Sequence, residues 1–163
     1  MNEVEIYFNA EKNESLLFIL VGFIACSISL YYFLKLRQPF YSGIGYAFTT
    51  IALIQVTVGI SVYVRSPKDI VRVKNVLQNN TNGLQTEEIP RMNRVMKNFV
   101  LYRWIEIAFI FIGILLIFAM KEASVWSGVG LGLMVQSGFM LLLDHFAESR
   151  GKIYLEYLEQ IIK

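Results

Sequence analysis

The chain has 163 residues, of which 55% are hydrophobic and only 17% charged, with a mean hydropathy of +0.49. Soluble domains carry about 45–50% apolar and about 25% charged residues, so an ordinary water-soluble globule is excluded, the more so because the apolar excess lies in long runs. A formal net charge of +2 is too small to suggest nucleic acid, and the single cysteine, Cys26, excludes an internal disulfide.

The first uncharged run, 15–34, is 20 residues long, enough for one helical crossing of a bilayer, and Lys35 and Arg37 close it. The crossing is placed at about 15–36. Phe23-Ile24-Ala25-Cys26 loosely resembles a bacterial lipoprotein cleavage box. The acidic region before it (Glu3, Glu5, Glu11 and Glu14) and the continuation of the run past Cys26 favour a packing cysteine instead. Gln38-Pro39 makes a turn, because proline disfavours helix at the residue before it, and Pro39 can begin the next helix.

The second uncharged run, 38–64, places a crossing at about 40–64. At 100° per residue Gly45, Thr49, Ala52, Val56 and Gly59 fall within about 80° of one another. Such a small-residue stripe lets a second helix approach closely. Gly22, Ala25, Cys26 and Ser29 form a similar stripe on the first crossing.

Residues 65–97 are the one long polar connection. Ser66-Pro67-Lys68-Asp69 reads as a helix start, with Ser66 as N-cap, proline at the first helical position and an acid in the first turn. Ile70, Val71, Val73, Val76 and Leu77 interleave with Arg72 and Lys74, which predicts a short amphipathic helix on the membrane surface. The stretch 79–83 breaks it, and a helix beginning near Glu88, with Pro90 tolerated early, is expected to run unbroken into the third crossing.

The third crossing, 98–120, contains Arg103 and Glu106. After a tight turn at Lys121-Glu122 the fourth covers 123–146, with Gly128 and Gly132 at small-x-x-x-small spacing. The helical pattern then continues over 147–162, where Glu148 and Lys152 are four apart. There Ile153, Tyr154, Tyr157, Leu158, Ile161 and Ile162 keep an apolar face. This helix should protrude into water, its apolar face covered by the 65–97 segment or by another subunit.

Four crossings put both termini on one side, which then holds eleven basic residues: Lys12, seven in the connector, Arg150, Lys152 and Lys163. The other side holds three, Lys35, Arg37 and Lys121. By the positive-inside rule the termini and connector are cytoplasmic. The tyrosines and tryptophans near the run ends fit an interfacial belt.

Charges inside a crossing are costly and normally face a partner charge, water or the protein interior. Arg103 and Glu106, near the start of the third crossing, and Asp144, His145 and Glu148, near the end of the fourth, should meet at one depth, with Arg65 at the end of the second. Three readings follow. The cluster is a structural ion-pair network, with Arg103 bridging to Glu106 or Asp144 and Glu148 to Arg150 or to the second helix. Or it is a site for an ion, a proton or a lipid headgroup, with Gln55 and Gln136 as further polar groups in mid-membrane. Or it is an enzyme centre in which His145 acts with Glu106 and Glu148. No continuous line of polar residues crosses the outer half, which argues against a pore within one subunit.

The sequence thus predicts an all-α, integral membrane four-helix bundle, with a cytoplasmic amphipathic helix and an extended C-terminal helix. Gly22, Gly45, Ala52, Gly59, Gly128 and Gly132 serve helix packing. The expected role is a non-enzymatic interaction or assembly module of a bacterial-type inner membrane. Its partners would be the bilayer and either a second copy or another membrane protein, not nucleic acid. No catalytic residue, metal or cofactor is assigned.

Overall fold

The computed structural model describes residues 3–79 and 81–162; Asn80, within the expected break, and Lys163, among the basic residues counted above, lie outside the described residues. Among the described residues the chain is helical, without strands. Helix α1 (Glu3–Tyr31) ends in a wide π turn, Tyr32–Leu36, and α2 (Pro39–Asn79) follows. The single turn α3 (Thr81–Gly83) and a second π turn, Leu84–Glu88, lead into α4 (Ile89–Ala119) and then α5 (Val125–Ile161). Four of these helical stretches are long and apolar enough to cross a membrane.

Local chemistry explains the ends. Arg37 closes the first π turn in the left-handed conformation (φ 48°), its N–H donating to Tyr32 O at 3.0 Å. Ser124 caps α5, its Oγ accepting from the Ser127 N–H at 3.2 Å.

Glycines set the packing. α5 lies between α2 and α4, and α1 lies mainly against α2. A Cβ on Gly43 would fall 2.0 Å from Val125 O, and one on Gly128 2.0 Å from Phe40 O, so α2 and α5 touch backbone to backbone. α4 meets α5 the same way, where a Cβ on Gly113 would reach within 2.5 Å of Gly130 O. α1 meets α2 at Gly22, beside Val56 and Ala52, and at Gly59, beside Ile19 and Ser15. Gly132 faces Ile44 and Ala47, while Gly45 accommodates the Phe33 ring of its own hairpin. Cys26 is half-buried against the Ala25, Ile44, Phe48 and Ala52 cluster. The small-residue faces are therefore used for packing inside one chain.

The connector departs from expectation in one respect. Ser66 does not start a helix: α2 continues through Pro67 to Asn79. Pro67 cannot donate to the preceding turn, but Ser66 Oγ lies 2.8 Å from Val62 O and 3.1 Å from Glu11 Oε2, so its hydroxyl bonds backward rather than capping forward. Beyond the proline, Val73 is fully buried with Val4, Tyr7, Phe8, Leu84, Met92, Tyr154 and Leu158. That burial outweighs the local signal. The amphipathic segment is thus an upright extension of α2, and its bases meet acids: Arg72 bonds Glu88, and Lys74 pairs with Glu5.

These eight residues form a second core, where both termini and the connector come together. We call this end the head. Tyr154 and Leu158 of the α5 stripe are covered by the connector and by α1, while Ile153 and Ile161 stay exposed; the Tyr7 and Tyr154 rings stack at 4.2 Å, with Phe8 edge-on to Tyr154 at 5.7 Å.

Candidate functional site

Two polar assemblies occupy the interior. The upper one centres on Glu88, whose side chain is fully buried in the head. Its carboxylate accepts from Arg91 (2.7 and 3.0 Å), from Arg72 Nη2 (2.8 Å) and from the Tyr154 hydroxyl (3.2 Å). Arg72 also bonds Asp69 at 3.1 Å, and Asp69 takes a further ion pair from Arg65. Arg65 in turn reaches Glu11 at 3.0 Å, so one chain of charges ties α1, α2, α4 and α5 together. Arg91 also lies over the Phe8 ring at 5.5 Å. Sequence reasoning read Glu88 only as a helix-start acid. The available signal was the spacing of Glu88 and Arg91, three apart on a helix.

The lower assembly lies within the crossings at the α4–α5 interface. Arg103 does not pair with Glu106 or Asp144 as expected; its guanidinium goes to Glu148, which also holds Lys152 at 2.8 Å. Arg150 pairs with Glu14 of α1 instead of Glu148. One turn deeper, Glu106 and Asp144 are neighbours across the interface, both buried. Glu106 Oε2 receives no hydrogen bond from any described residue. Deeper still, Gln136 Nε2 donates to Gln55 Oε1 at 2.7 Å, joining α5 to α2, while the buried Gln55 amide nitrogen finds no acceptor among the described residues. Such interhelical bonds contribute roughly 0.6 kcal/mol each.

Of the six cluster residues expected together, Arg103, Glu106, Asp144 and Glu148 converge. Arg65 belongs to the head network. His145 is exposed, its ring beside Phe146 at 5.9 Å, and does not join the buried carboxyls. Among the described residues no three His, Cys, Asp or Glu side chains gather as metal ligands would.

A shallow groove of about 120 Å³ opens on the head, lined by Glu3, Ile6, Tyr7 and Ala10 of α1 and by Arg150, Ile153 and Tyr154 of α5. Its walls are apolar, with an acid on one rim and a base on the other.

Comparison with family models, with curated proteins and with solved structures finds no match. The functional reading rests on the geometry alone.

Proposed function

We propose that the chain is a multi-pass protein of a bacterial-type inner membrane that acts by association, with the head in the cytoplasm and a second copy as its partner. The observation that carries this reading is the apolar groove on the head. Exposed apolar side chains along the crossings are solvated by lipid and need no protein partner. Ile6 and Ile153 are different: they are 41% and 60% exposed, yet they lie outside the apolar runs. Ile6 precedes the first run by nine residues, about 13 Å of helix, and the headgroup layer is only about 5–8 Å deep. A rigid water-facing scaffold with an apolar groove between rims of opposite charge suits a two-fold contact, in which Glu3 of one copy faces the basic rim of the other. The eleven-to-three excess of basic residues on the terminal side supports the orientation.

The test is Ile153→Glu. Because Ile153 is exposed, the charge should leave the stability of the fold within about 0.5 kcal/mol of the parent, while shifting a detergent-solubilised dimer to monomer in cross-linking and sedimentation. An unchanged oligomer, or a monomeric parent, would remove this reading. An oligomer containing a different protein would move the partner from a second copy to another membrane subunit.

A further inference from the structure

Independently of the head, the acids buried in the lower assembly divide into two kinds. Glu148 holds Arg103 and Lys152, and in the head Asp69 holds Arg65 and Arg72 while Glu88 holds Arg72 and Arg91. Each of these carboxylates is balanced by at least one base. Glu106 and Asp144 are 6% and 7% exposed, are neighbours across the α4–α5 interface, and form no ion pair among the described residues. The nearest base, Arg103, sits one turn toward the head on the same helix and is committed to Glu148. α2 brings no charge to this depth, since residues 38–64 carry none. From α1 the acid on this side is Glu14, which is taken up by Arg150.

Two ionised carboxylates have no hydrogen to share and repel one another strongly where water is excluded. The contact becomes attractive only when a positive charge lies between the oxygens. Glu106 Oε2 is buried and receives no hydrogen bond from any described residue, which leaves it able to accept from a cation. We propose that Glu106 and Asp144 form a binding site for one small cation, a proton or an alkali-metal ion, held between α4 and α5.

The surroundings give this site one open direction. Toward the head the next polar side chains are the Arg103–Glu148 pair, and Arg103 is 40% exposed at the side chain. Away from the head the Gln55–Gln136 pair follows, and then the backbone contacts at Gly113–Gly130 and Gly43–Gly128, which leave no room for even a methyl group. The cation enters and leaves from the head side, which makes the site a sensor or a regulator of the α4–α5 contact rather than a through-path.

The experiment is thermal melting of the intact chain in detergent, in a sodium series at fixed pH with choline holding the ionic strength, and in a pH series without sodium. A ligand that binds only the folded state raises the melting temperature by roughly 5–10 °C at a hundredfold excess over its Kd. An alkali-ion site gives a rise with sodium and none with choline. A proton site gives a rise on acidification and no sodium effect. In either case Glu106→Gln, whose amide donates to Asp144, should fold and lose that component; Asp144→Asn is the second variant. Parallel shifts in parent and variants overturn the proposal, and so does a parent chain indifferent to both series.

Discussion

Replacing Gly128 by alanine should cost the protein well over 1 kcal/mol, and replacing it by valine should prevent folding. A Cβ there would lie 2.0 Å from Phe40 O, 2.9 Å from Phe40 C and 3.2 Å from the Gly43 Cα. All three are backbone atoms, so no side chain can swing aside and α2 must move off α5 as a body. Overpacking a well-filled interior costs about 1–3 kcal/mol when side chains can adjust; a backbone clash removes that relief. Gly43 is the reciprocal position, its Cβ 2.0 Å from Val125 O, and should be equally intolerant. Gly138, on the same helix, has nothing within 4 Å of its Cβ position, so Gly138→Ala should be neutral or stabilising by up to about 1 kcal/mol. Melting of the three variants in one detergent checks this. A Gly128→Ala protein as stable as Gly138→Ala would mean that α2 and α5 do not cross there.

Glu88→Ala should open the head while leaving the crossings formed. The substitution leaves Arg91, only 20% exposed at its side chain, and half-buried Arg72 without their shared carboxylate, and strands the Tyr154 hydroxyl. Removing one partner of a buried charge pair costs about 3–5 kcal/mol, because the remaining charge stays desolvated. Tyr154→Phe removes one hydrogen bond and should cost only about 1 kcal/mol. Hydrogen exchange by peptide would show the Glu88→Ala loss of protection over 3–10, 70–92 and 150–160, with little change in the runs that face lipid. Protection lost evenly along all four helices would mean that the head and the crossings unfold as one unit.

Much of this architecture was legible in the residues, and the exceptions have physical causes. The uncharged runs 15–34 and 38–64 mark two crossings because a charge in hydrocarbon is expensive, whatever the tertiary structure. The Gly128-x-x-x-Gly132 spacing marked a packing face; Gly43, which meets Gly128, has the same spacing to Ala47, a signal the sequence reading passed over. Pro67 was the misleading signal. Local propensity ends a helix there, and the burial of Val73 in a core that includes residues more than sixty positions away carries α2 onward. In the candidate site the right residues were gathered with the wrong partners. Arg103 and Glu106 are three apart and able to pair, yet the rotation of α4 on α5, set by Gly113 and Gly130, turns Arg103 to Glu148 and Glu106 to Asp144. His145 neighbours Asp144 in sequence but lies about 100° round the helix, on the exposed side.

The central claim is that the chain works by associating with itself. It is tested most directly by native mass spectrometry of the full chain released from mild detergent. The account predicts a discrete oligomer of identical chains, a dimer if the head groove is the contact, that falls to monomer on Ile153→Glu. A parent chain that stays monomeric across the accessible concentration range would contradict it.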